Sequence, residues 1–297
     1  MRRPAPRLVE VGPRDGLQTA GAAVPTDAKI AFVDALSASG LREIEAGAFV
    51  SPKAVPEMAD SDRVFAGVRR RPGVTYSALV PNEKGLERAL AAKAGKISVF
   101  TAASETFNRR NIQASIAESI ERFKPVVAGT KAAGLPLRAY VSTAFFCPYE
   151  GRVEPGAVVD VVRRLEDLGI GEHSLGDTIG RASPDDVRRL LDPLLKAVPV
   201  ERVFLHFHDT YGMAVANALV AWEEYGVSGF DASTGGVGGC PYAPGASGNV
   251  ATEDLVFAFH ASGGVTGVDV KALQSAAKGL AAAMGRPVSS RLSKIDL

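Results

Sequence analysis

Two cysteines in 297 residues, Cys147 and Cys240, are too few and too far apart for a disulfide framework. That scarcity is what a reducing compartment produces, so a cytoplasmic location is the expectation. Long apolar runs are missing as well. None approaches the roughly 20 residues that a helix needs to cross a bilayer, so no membrane span is expected. The basic stretch from Met1 to Arg7 lacks the apolar segment of a signal peptide. Neither sign of charge dominates: 34 Lys and Arg stand against 33 Asp and Glu, a net charge of +1. Nothing therefore favours a nucleic acid over a small molecule as partner. The Arg69-Arg70-Arg71 triplet reads as a solvated helix end. There is no Pro/Ser-rich linker and no low-complexity segment. What remains, 46% hydrophobic and 23% charged residues, is the composition of a globular chain able to bury a large core.

Strand and helix signals alternate along that chain. Short apolar runs bounded by Gly, Pro or charged residues place strands at about 8–12, 41–49, 74–80, 96–100, 137–143, 172–178, 202–210 and 229–234. Helical periodicity fills the intervals. Thr26 can cap a helix that buries Ile30, Val33 and Leu36 and closes at Gly40. Ile112, Ile116, Ile120 and Phe123 form one helix face, and Val158, Val161, Val162, Leu165 and Leu168 another. Ser183-Pro184-Asp185-Asp186 is a helix start with a cap, a first-turn proline and two acids for the dipole. Further helices are expected at 214–225, 252–261 and 270–284. Strict alternation implies a parallel sheet, because parallel neighbours need crossovers. Eight units make the expected fold an α/β TIM barrel, with a doubly wound open sheet as the runner-up. The whole chain, 1–297, reads as one domain with a C-terminal helical extension from about residue 252.

In a barrel the carboxyl ends of the strands share one mouth, and chemistry-bearing residues sit at those ends. Arg14 and Asp15 follow the first strand, Glu45 lies in the second, and Asp177 ends the sixth. His206 and His208 end the seventh, and Cys240 and Asn249 lie in the loop after the eighth. Side chains two apart on a strand point the same way, so His206 and His208 share a face. That pair is half of a metal site, or simply a polar cap on a strand. With a carboxylate and an amide oxygen the set becomes mixed and mostly hard, which favours Mg²⁺ or Mn²⁺ over a thiolate zinc site. The loop from Gly235 to Asn249 lacks the Lys-Ser/Thr of a P-loop and opens no dinucleotide-type helix. Its Cys240 can be a nucleophile, a proton donor or merely a small side chain, and Cys147 in the other Cys-Pro-Tyr triplet reads as structural.

Val9-Glu10-Val11-Gly12-Pro13-Arg14-Asp15-Gly16-Leu17-Gln18, His206-Phe207-His208-Asp209-Thr210-Tyr211-Gly212 and the Gly-Gly-Cys-Pro-Tyr-Ala loop together resemble the 3-hydroxy-3-methylglutaryl-CoA lyases. These are TIM-barrel metallolyases with an Arg-Asp motif. The likeness runs from about Leu8 to the helix after Glu253; the Arg-Asp and His-x-His elements are common to the wider group, and the cysteine loop points to the lyase branch. The resemblance implies cleavage of a 3-hydroxy-3-methylglutaryl thioester to acetyl-CoA and acetoacetate. It implies a divalent ion, Mg²⁺ or Mn²⁺, on Asp15, His206, His208 and Asn249, with Asp15 or His206 as base. Arg14 would stabilise the thioester oxyanion, Cys240 would protonate the departing carbon, and Glu45 would hold Arg14 or a bound water. The implied partner is an acyl-CoA, with Lys53, Arg109 and Arg110 near the expected loops, and a homodimer is the family-based expectation.

The sequence also departs from the family pattern. Thr19-Ala20 stand where a small polar residue and then an acid are usual, Gly21 where lysine is often found, Ala48 where serine is usual, and Ala54 where tryptophan is expected. Polar and aromatic bulk is thereby lost near the mouth while the Arg-Asp and His-x-His residues stay. A related 3-hydroxyacyl-CoA, longer branched or citramalyl-type, is therefore the alternative substrate. An acetyl-CoA-dependent condensing synthase of the same barrel group, or a relic without activity, are the rival readings.

Overall fold

The computed structural model describes residues 3–20, 23–239 and 248–295. Eight parallel strands close into a barrel: β1 (Arg7–Glu10), β2 (Glu43–Ala48), β3 (Thr75–Leu79), β4 (Lys96–Ala102), β5 (Leu137–Ser142), β6 (Glu172–Asp177), β7 (Val203–Phe207) and β8 (Gly229–Ala232). Each strand pairs with its neighbours in sequence, and β1 pairs with β8 to close the ring. The TIM barrel expected from the alternation is the observed fold, and the open sheet is not.

The helices wrap the outside: α1 (Thr26–Ala38), α2 (Ser61–Gly67), α3 (Glu83–Ala91), α4 (Glu105–Ile112), α5 (Ile116–Ala132), α6 (Pro155–Asp167), α7 (Pro184–Leu194), α8 (Ala214–Tyr225), α9 (Thr252–Ala261) and α10 (Val270–Met284). Outward strand residues such as Ile44, Ile97, Val141, Leu175 and Leu205 pack against buried helix residues such as Leu36, Phe123, Val162 and Leu191 in one apolar layer. The α10 helix packs against α1 and α9. No helix among the described residues is long and apolar enough to cross a membrane.

Two local expectations change. Thr26 is the first helical residue rather than the cap; Pro25 precedes it, and the Thr26 hydroxyl donates to Asp60 at 2.8 Å. Ile112 does not share a helix with Ile116, Ile120 and Phe123. It ends α4, Gln113 then turns left-handed at φ 52°, and Ser115 starts α5 with a capping box to Glu118. A capping box satisfies two otherwise orphaned donors, so a new helix start outweighs the continuous periodicity. The Ser183 cap forms as expected, with Asp186 reaching back to it.

The barrel interior is unusually polar. Branched apolar layers are the rule there; here Lys96 on β4 bridges Glu43 on β2 at 3.0 Å and Glu172 on β6 at 2.5 Å. Arg138 on β5 pairs with Asp231 on β8. These strands are not neighbours, so the contacts must cross the interior. Buried ion pairs contribute little net stability but fix geometry, since each charge is costly without its partner.

Candidate active site

The chain leaves β1 through a tight π-helical turn, Gly12–Gly16, that carries Arg14 and Asp15. Burial anchors this turn: the Glu10 carboxylate accepts from Gly12 N and Thr234 N, both at 2.9 Å, and from the Thr252 hydroxyl at 2.8 Å. Glu10 thus ties the end of β1 to the loop after β8. An added side chain at Gly12 would meet that carboxylate, and one at Gly16 would meet Val237 O, both inside 3 Å. The turn can approach the β8 loop only with glycine at both places.

Arg14 is buried and held on two sides. Its Nε donates to Glu45 and its Nη1 to Asp15 Oδ1 at 2.6 Å, while the guanidinium lies 5.0 Å from the centre of the Tyr140 ring. Neither bond uses Nη2. Burial disfavours its charge, yet the Glu45 and Asp15 carboxylates raise the guanidinium pKa further. Glu45 is itself completely buried and accepts from the Ser98 hydroxyl at 2.5 Å and the Tyr140 hydroxyl at 3.1 Å.

The two imidazoles meet as their spacing requires. His206 lies in β7, His208 one residue beyond its end in a bridge with Asn249, and their ring centres are 5.2 Å apart. One ligand atom each from Asp15, His206 and His208 falls within 4.8 Å of the others. Asn249 joins them, its Nδ2 donating to Asp15 Oδ2 at 2.9 Å. His208 Nδ1 and Asn249 Oδ1 are buried without any hydrogen-bond partner. A buried polar atom without a partner is costly, and two such atoms beside a carboxylate and a second imidazole fit a divalent cation. Burial works against the charge on Asp15, but Arg14, the imidazoles and Asn249 outweigh it and hold its pKa near 2. Burial and the neighbouring His206 push His208 down to about 4, leaving a neutral imidazole suited to ligation.

Asp177 sits at the expected strand end but turns away from this cluster. Its carboxylate accepts from Arg181 N at 3.1 Å and Ala182 N at 3.0 Å, and burial raises it to about 7. Cys240 and Gly21 lie outside the described residues. Cys147 is buried and receives the Ser104 hydroxyl at 3.1 Å. Ala48 is fully buried, while Lys53, Ala54, Arg109 and Arg110 are exposed. Thr19 accepts from Gly239 N at 3.0 Å and so stitches the Arg-Asp turn to the glycine-rich loop.

Sequence reasoning missed the supporting layer. Tyr140 and Ser98 hold Glu45, and Asp231 lies 3.3 Å from His206 Nδ1. Burial opposes the charge of Asp231, but Arg138 outweighs it and keeps the carboxyl below its usual range. A signal was available: Arg138, Tyr140 and Asp231 are polar or aromatic residues at interior positions of otherwise apolar strands.

The family described as HMGL-like matches residues 5–279. A Pseudomonas aeruginosa protein called 3-hydroxy-3-isohexenylglutaryl-CoA/hydroxy-methylglutaryl-CoA lyase is 50% identical over 97% of this chain and 96% of its own length. A crystal structure of hydroxymethylglutaryl-CoA lyase from Pseudomonas aeruginosa superposes with a TM-score of 0.96 at 49% identity, covering 99% of this chain and 98% of that one. An HMG-CoA lyase from Acinetobacter baumannii in complex with coenzyme A and 3-methylmalate aligns at 0.92 with 40% identity over 98% of this chain and 94% of that one. This chain belongs to the HMGL-like family.

Proposed function

We propose that this chain is a divalent-metal-dependent carbon–carbon lyase that cleaves 3-hydroxy-3-methylglutaryl-CoA to acetyl-CoA and acetoacetate. The observation that carries the reading is the pair of unpartnered buried atoms, His208 Nδ1 and Asn249 Oδ1, gathered with Asp15 and His206 at the barrel mouth. These four side chains would hold the ion. Bound there, a divalent cation would acidify the tertiary hydroxyl and keep it beside the substrate carboxylate.

The chain's own residues supply the rest. Asp15 or His206 takes the hydroxyl proton. His206 has one nitrogen, Nε2, left beside its contact with Asp231, so it cannot both ligate and accept a proton; each Asp15 oxygen keeps a lone pair beyond its bond from Arg14 or Asn249, so Asp15 can do both. As the carbon–carbon bond breaks, its electron pair moves onto the thioester carbonyl, and the former hydroxyl carbon becomes the ketone of acetoacetate. Arg14 would stabilise the oxygen where charge develops through Nη2, the nitrogen that its bonds to Glu45 and Asp15 leave unused. The Cys240 thiol then protonates the departing enolate carbon to give acetyl-CoA.

The test is acetoacetate release from the purified protein with and without a chelator. Release that stops with chelator and returns with Mg²⁺ or Mn²⁺ supports the reading. Consumption of acetyl-CoA with a 2-oxo acid makes the chain a condensing synthase, and no turnover leaves the lyase reading without foundation.

A second reading concerns the acyl group. The Pseudomonas aeruginosa relative is named for an isohexenylglutaryl as well as a methylglutaryl thioester, and Ala48 and the Thr19-Ala20 pair reduce polar bulk near the mouth. We propose that longer branched or citramalyl-type 3-hydroxyacyl-CoA thioesters are also cleaved. Full turnover of the methylglutaryl thioester with no turnover of bulkier ones disposes of this. We also propose a cytoplasmic location, on the scarcity of cysteine, and a homodimer, on the family resemblance, the latter open to test by light scattering.

A further inference from the structure

The two imidazoles of the proposed metal centre are held very differently. His206 on β7 is directly opposite Asp231 on β8 in the strand register, and its Nδ1 lies 3.3 Å from Asp231 Oδ2. The same Oδ2 accepts from the Ser174 hydroxyl at 2.6 Å, and Oδ1 takes Arg138 Nη2. Arg138 in turn stacks over Phe204, 4.4 Å from its ring centre, and over Tyr140 at 5.0 Å. Tyr140 stands edge-on to the His206 ring at 87°. His208 has nothing of the kind, for its Nδ1 is buried without a partner.

A carboxylate paired to an arginine can only accept. The hydrogen of a neutral His206 ring must therefore sit on Nδ1, which leaves the Nε2 lone pair for the site. We propose that Asp231, held by Arg138 and Ser174 across the barrel interior, is a positioning residue that sets the tautomer and ring orientation of His206. The inference deepens the proposed lyase site and rests on that reading, but its first readout needs neither substrate nor ion. Asp231 touches neither substrate nor ion. It acts through His206, as carboxylates behind ligating histidines do, where their loss typically weakens metal binding 10–100-fold.

The barrel could instead need Asp231 only to neutralise Arg138. The double variant Asp231→Asn/Arg138→Met separates these roles, because it removes both charges and leaves none unpaired. The first readout is long-range ¹H–¹⁵N correlation of the imidazoles in metal-free protein at alkaline pH, where the rings are neutral. Only four histidines need assignment. The unaltered protein is expected to show His206 as the Nδ1–H tautomer, and the double variant a mixture or the Nε2–H form. The second readout is Mn²⁺ affinity by electron paramagnetic resonance, expected to fall about 10–100-fold in the double variant. Should the double variant not fold, Ser174→Ala frees Oδ2 for His206 alone and is expected to keep the Nδ1–H tautomer fully populated. An Nε2–H tautomer in the unaltered protein or in Ser174→Ala overturns the proposal, as does a double variant with unchanged tautomer and unchanged Mn²⁺ affinity. Loss of lyase turnover by some other route leaves the tautomer measurement untouched, so the two readings fail separately.

Discussion

Glu45→Gln tests how the site holds Arg14. The glutamine keeps the shape and, with its oxygen turned to Arg14 Nε and Tyr140, keeps two of the three acceptor contacts. Its amide then faces the Ser98 hydroxyl, which can accept from it and donate to Ala78 O at 3.2 Å. Every hydrogen bond can be rebuilt, so the change isolates the charge. A hydrogen bond to a charged partner is worth about 1.5–3 kcal/mol and a neutral one about 1, so the variant loses roughly 1–2 kcal/mol. In a chain of this size that is a fall in Tm of a few degrees. With one of its two carboxylates neutral, Arg14 shifts toward Asp15 and away from the thioester oxygen. A comparable loss of alignment in the transition state lowers kcat by about 10–100-fold, since about 1.4 kcal/mol is a factor of ten. Steady-state kinetics and a thermal melt read both quantities, with Mn²⁺ affinity as the control. Glu45→Gln with unchanged kcat would show that the Glu45–Arg14 pair only fills the barrel.

Gly238 has φ 149°, and a side chain there would sit 2.8 Å from Asn249 Nδ2. Gly238→Ala is therefore expected to displace the carboxamide and weaken Mn²⁺ binding about tenfold or more, and to lower Tm as well because an L side chain is strained at that φ; unaltered binding would separate Asn249 from the ion. Cys240→Ala is expected to keep Mn²⁺ affinity while turnover falls about 10²–10⁴-fold, the usual contribution of a placed proton donor; near-normal turnover would return the cysteine to a filler. His173 is fully buried with neither ring nitrogen hydrogen-bonded and its Nε2 3.8 Å from the Glu166 carboxylate; burial outweighs that carboxylate and lowers the pKa to about 4. The unfolded chain then binds a proton from about pH 6.5 downward while the folded one resists until about 4, so stability falls as pH drops through that window. The loss is capped at roughly 3 kcal/mol. Urea melts of His173→Gln should show a shallower acid slope than the parent, and equal slopes would assign the acid sensitivity elsewhere.

The barrel was legible because its strands are short apolar runs at regular intervals, and the parity of His206 and His208 brought the imidazoles together. Local signals failed where chemistry was not local. No spacing rule links Arg138 to Asp231, 93 residues apart, or Glu45 to Tyr140, 95 apart; only closure of the ring brings them face to face. Asp177 had the right address and the wrong direction, because a strand-end carboxylate can serve the next loop's N–H groups as readily as the mouth. The α4 helix escaped notice since Glu105–Ile112 is mostly polar, with only Phe107 and Asn108 buried. Ile112 then lent a false continuity to the α5 stripe, which the Ser115 cap interrupts.

One cation gripped by four side chains carries the proposed chemistry, and a crystal soaked in Mn²⁺ tests it most directly. An anomalous peak bonded to Asp15, His206, His208 and Asn249 is the predicted result. A peak elsewhere, or none at a concentration that supports turnover, contradicts it.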